Sequence, residues 1–121
     1  MPIAANSEIE MRRIILVPEG ERPEAPGLAC LPMDEAVWED GYSLVVNEMS
    51  RGMLQVFWKH YYGASAEMVV SGDPLTELRK DILAVTPACK DKPAVLEFLV
   101  SLSRMCSRAR RQGGSLHVIA D

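Results

Sequence analysis

The sequence predicts an α+β fold: a mostly antiparallel sheet of four to five strands, with two main helices at about 74–86 and 93–112 packed on one face. Three observations predict it. β-prone runs cluster together and helical runs cluster together, which separates this chain from an alternating α/β pattern. In residues 93–111, PAVLEFLVSLSRMCSRARR, a helical period of about 100° per residue puts Glu97, Ser101, Arg104, Arg108 and Arg111 on one narrow strip. The apolar residues from Val95 to Ala109 share the remaining arc of about 220° on that period. A surface helix needs an apolar stripe of only about 100° or more, so this one is expected to have two neighbours: a sheet, and a further helix or a second subunit. Finally, 121 residues with 48% hydrophobic and 25% charged content match one ordinary globular domain.

Taken in order, residues 1–10 read as a flexible N-terminal arm, and residues 11–121 as a single domain. Met11 to Val17 is rich in β-branched residues and stops at Pro18, which predicts a strand. The following stretch, 18–32, holds four prolines, two glycines and three glutamates. Proline removes backbone donors and fixes φ, so this stretch predicts a long surface loop. Residues 33–42 predict a short helix capped by Asp34 and ended by Gly41.

Two β-prone runs, 43–49 and 53–62, flank Ser50-Arg51-Gly52 and predict a hairpin. In its second strand Leu54, Val56, Trp58, His60 and Tyr62 would face the core. A third strand is expected at 66–71. Asp73 as N-cap and Pro74 at the first position predict a helix carrying Leu75, Leu78, Ile82 and Val85, stopped by Pro87. The long helix follows, ends at Gly113-Gly114, and gives way to a strand at 115–120.

Charge and cysteine usage narrow the function. The net charge of −4 hides an asymmetry: residues 1–50 carry ten acids against three arginines, and residues 51–121 carry ten bases against seven acids. An acidic half repels phosphate and disfavours nucleic acid as the main partner. Three widely spaced cysteines without a CxxC argue against a disulfide framework or a zinc site, and for the reducing cytoplasm. No apolar run reaches 18 residues, so no membrane span is expected, and no secretory leader is visible. The chain has no GxSxG, Walker A or GxGxxG motif, and its two histidines have no second ligand at helical spacing. No catalytic residue, metal or cofactor is therefore assigned.

Three surfaces are left. Glu19, Glu21 and Glu24, with Trp38, Glu39, Asp40 and Tyr42, combine acidic steering with aromatic anchors, which suits a basic protein partner. The plainer account is a solvated loop. Six of the seven aromatics lie in 38–62, and a small-molecule-binding or enzymatic domain with a pocket around Trp58, His60 and Tyr62 is the alternative to an ordinary aromatic core. Arg104, Arg108 and Arg111 align at i, i+4 and i+7, as a phosphate grip or as cations favoured by the helix C-terminus. The sequence is read as a small non-enzymatic interaction module of inhibitor, immunity or adaptor type from a bacterium or phage. A homodimer is expected if the long helix is incompletely covered.

Overall fold

A computed structural model describes residues 12–48, 52–59 and 67–120. Its sheet has four antiparallel strands in the order β2-β1-β4-β3. They are β1 (Arg12–Val17), β2 (Cys30–Met33), β3 (Glu67–Ser71) and β4 (Ser115–Ala120). The first and last strands of the described chain lie side by side at the centre, with Ile14 opposite Val118 and Leu16 opposite Leu116. β2 flanks β1 through Ile14↔Leu31, and β3 flanks β4 through Val70↔Leu116.

Strand alternation sends Ile14, Leu16, Met33, Val70, Leu116 and Val118 to one face. Buried side chains of three α-helices and of the segment 43–48 join them there in one hydrophobic cluster, and a fourth α-helix packs the half-buried Val37, Trp38 and Tyr42 against it. The helices are α1 (Glu35–Tyr42), α2 (Met53–Lys59), α3 (Asp73–Val85) and α4 (Pro93–Gln112). The expected α+β arrangement is thus present, with both long helices on one face of the sheet.

Several local expectations are corrected. The proline-rich stretch is a loop only to Ala29; Cys30 to Met33 pair with β1, and Pro32 is accommodated because β2 is an edge strand. Asp34 does cap α1, its Oδ1 accepting from the Val37 N–H at 2.9 Å. Gly41 does not end the helix. The chain winds on through a π-helical segment, Ser43–Glu48, that buries Leu44, Val45 and Val46 in succession. The expected hairpin of 43–49 with 53–62 is absent. Its second arm is α2, with Leu54, Phe57 and Trp58 inward at i, i+3 and i+4, and Val56 outward at 52% exposure.

Asp73 is the first helical residue of α3, and the cap position belongs to Gly72 at φ +67°. α3 ends at Val85, just before Pro87 as expected, and a 3₁₀ turn, Thr86–Cys89, follows. In α4 the buried residues are Val95, Phe98, Leu99, Leu102, Met105, Cys106 and Ala109. They span only about 120° on the helical period, far less than the whole apolar arc. The sheet, α3 and α1 cover that arc between them. Val100 is left outside at 37% exposure. Gly113 closes α4 in the left-handed conformation, φ +68°, with the Gly113 and Gly114 N–H groups returning to Arg110 and Ala109 carbonyls.

Candidate functional site

Because the helices share one face, the opposite face of the sheet is left to the β1–β2 loop. Register places Arg13 beside Ile119 and Pro32 there, and Ile15 between Cys30 and His117. The loop is shaped by two turns, Glu21 N–H to the Pro18 carbonyl and Ala25 N–H to the Arg22 carbonyl, each 3.0 Å. A third 3.0 Å bond, from the Leu16 N–H to the Ala29 carbonyl, ties its far end back to β1. Between loop and sheet lies a half-open hollow of about 560 Å³. Ile15 and Ile119 line it from the sheet and Leu28 from the loop, and Arg13, Glu24 and Cys30 add the polar groups.

Glu19, Glu21 and Glu24 are exposed on this loop. Val69, on the same sheet face, is 52% exposed. An apolar surface with an acidic margin can attract a cationic partner at distance and hold it by burial at contact. His117 is half-buried in the same face, its Nε2 3.0 Å from the Ser115 hydroxyl.

The other acidic and aromatic candidates lie at the opposite end of β2, on the helical side. Glu39 and Asp40 are exposed on α1. Trp38 is half-buried and clasped to Trp58: the Trp38 Nε1–H donates to the Trp58 carbonyl at 2.7 Å, and the Trp58 Nε1–H to the Trp38 carbonyl at 2.9 Å. Tyr42 stacks on Trp38 at 4.9 Å with a 57° tilt. The fold therefore does not join the loop glutamates to the α1 residues in one patch.

Trp58 is fully buried and meets Phe98 edge-on at 5.9 Å, so its ring belongs to the core. His60 and Tyr62 lie outside the described residues. Arg104, Arg108 and Arg111 are all exposed on α4. No acidic partner faces them among the described residues.

The three cysteines are free. Cys30 is exposed, whereas burial pushes the Cys106 thiol up to about 12, against a weaker pull from the Arg79 guanidinium. Burial raises Cys89 as well, with Lys92 opposing and Asp91 adding a smaller rise. Among the described residues no three His, Cys, Asp or Glu groups converge as metal ligands. Nor is any helix there long and apolar enough to cross a membrane.

The sequence reads Cys30 to Pro32 as part of the proline-rich loop and so does not show the hollow. The signal for it is the alternation of Leu31 and Met33 with Cys30 and Pro32, a period of two over four residues. Comparison of the chain with protein-family models, with curated proteins and with solved structures finds no match.

Proposed function

We propose that this chain is a non-enzymatic protein-interaction module, of inhibitor, immunity or adaptor type, that takes a basic partner on the helix-free face of its sheet. One observation carries the reading: a loop with three exposed glutamates roofs a half-open hollow with Ile15 and Ile119 in its floor and Arg13, Glu24 and Cys30 among its walls. Glutamates at the margin steer a cationic partner, while the exposed Val69 and the floor around Ile15 and Ile119 offer it apolar anchorage. The three free cysteines fit a reducing compartment such as the cytoplasm.

The aromatic-pocket reading is the weaker one, because both indole N–H groups are committed to each other's backbone. Among the described residues, the groove holding Leu83 and Val100 between α3 and α4 is a candidate surface for self-association. Val100→Asp tests it: in sedimentation equilibrium a dimer built there would become a monomer.

The principal test compares two charge reversals on the immobilised chain. With partner captured from source cells, Glu19→Lys, Glu21→Lys and Glu24→Lys together are expected to weaken binding by tenfold or more. Glu39→Lys with Asp40→Lys is expected to change it by less than threefold. The reverse ranking removes the loop from the account and returns recognition to α1.

A further inference from the structure

We propose that the cleft between the start of α3 and the end of α4 binds a phosphate dianion, free or as a terminal phosphate monoester. Its cradle is Arg79, Arg110 and Arg111. α3 and α4 run antiparallel, so Thr76 and Arg79 on the first two turns of one face Ser107, Arg110 and Arg111 on the last turns of the other. The cleft between them measures about 150 Å³, the scale of a small ion. Buried Leu75 and Cys106 line it together with Thr76 and Ser107, residues whose hydroxyls are neutral donors.

Like charges gathered in one cleft repel unless an anion joins them. The helix dipole accounts for cations at Arg110 and Arg111, in the last turn of α4. It does not account for Arg79, at the midpoint of α3 and beyond the reach of either end of that helix. Among the described residues the cluster has one ionic partner, Asp73, whose Oδ1 lies 3.2 Å from Arg110. That pair is open to water at both ends, 52% and 92% exposed, so it is weakly held and readily exchanged for a ligand.

Arginine forks match carboxylate and phosphate oxygens alike, but the acceptor sites of a carboxylate lie in one plane, whereas those of a phosphate point in several directions. Three guanidinium groups approaching from two helices suit a tetrahedral dianion with oxygens on several sides. The site lies on the helical side; Glu19 of the acidic loop reaches Gly113 at the end of α4 but does not line the cleft, which stands independently of the proposed partner.

Titration calorimetry of the intact chain with inorganic phosphate at low ionic strength tests it. Saturable one-site binding is expected, weakened at least tenfold by Arg79→Met and by Arg111→Met. Arg104→Met removes the same charge outside the cleft and is expected to change affinity by less than twofold. Asp73→Ala, which releases Arg110, is expected to tighten binding. Glycerol 3-phosphate separates the sources: binding like phosphate identifies a monoester ligand, and failure to bind identifies the free anion. All four altered side chains are exposed, and unchanged thermal unfolding verifies the fold. Absence of phosphate binding at millimolar concentration overturns the proposal. So does equal weakening by Arg104→Met, or binding of a DNA duplex without binding of phosphate.

Discussion

Trp38 and Trp58 each give an indole N–H to the other's backbone carbonyl, so four polar groups are satisfied by two side chains at the join of α1 and α2. Trp58→Phe keeps the ring volume closest to native but removes the bond to the Trp38 carbonyl. Denaturant unfolding is expected to show a loss of about 0.5–1.5 kcal/mol, the usual net worth of one hydrogen bond. Gly41 has the opposite logic to most helical glycines. Replacing one by alanine ordinarily stabilises a helix by about 0.5–1 kcal/mol. Here a Cβ would intrude on the Trp58 ring. Gly41→Ala is therefore expected to destabilise by about 1–3 kcal/mol, as overpacking does. Sequence showed the aromatic concentration but not this clasp, because nothing local tells residue 38 that residue 58 is its partner.

Cys106 makes a pH prediction at the same scale. Its folded thiol titrates near 12, while an unfolded thiol titrates near about 8.5. Between those values the unfolded chain has lost a proton that the folded chain keeps, so stability falls as pH rises, by up to about 1.4 kcal/mol per pH unit. Below that window the contribution is fully present. Urea midpoints from pH 8 to 11 are expected to fall more steeply for the native chain than for Cys106→Ala. Parallel curves would mean that the thiol is not sequestered.

At the scale of elements, α2 shows why a strand was expected and a helix is found. Met53 to Trp58 is apolar at every position but Gln55, so periods of 2 and 3.6 both find support. Tertiary contacts decide between them. The Asp81 carboxylate on α3 accepts from the Leu54 N–H at 3.1 Å, capping α2 from across the fold. Gly52, at φ +118°, lets that carboxylate approach where any side chain would crowd it. At the same end, the Gln55 amide donates to the Val46 carbonyl at 3.0 Å and ties α2 to the π-helical segment. Val56 separates the two assignments by experiment. Outward on a helix, Val56→Ala is expected to be neutral or stabilising by up to about 0.7 kcal/mol. Inward on a strand it would cost about 2 kcal/mol or more.

α3, α4 and the strands at 12–17, 67–71 and 115–120 were legible because long apolar repeats and glycine or proline boundaries agree there. The apolar arc of α4 was legible only in part. Leu96 and Val100 share the apolar period, yet they lie beyond the reach of the sheet and flank the groove facing α3. Periodicity reports which residues can be buried, while the neighbours' positions set which ones are.

At the scale of the whole molecule, the chain separates structure from exposure. One face of the sheet carries every described helix and the continuous core. The other carries the acidic loop and the hollow above Ile15 and Ile119. The acidic character of the N-terminal half was visible in composition alone. Its division between loop and α1 was not, since it depends on β2 sending the chain from one side of the sheet to the other. Charge steering implies that association with a basic partner slows as salt is added. Raising ionic strength from about 0.01 to 0.15 M shortens the screening length from about 30 to 8 Å. The on-rate is expected to drop at least tenfold across that range, and a flat response would exclude steering by the loop.

Amide hydrogen exchange on the chain, alone and saturated with its captured partner, tests the division of labour most directly. The account requires slowed exchange across residues 19–29, whose amides are largely free of regular structure, and no change along the outer strip of α4 from Glu97 to Arg111. Protection confined to α4, with the loop exchanging as fast as in the free chain, would place recognition on the helical face and contradict it.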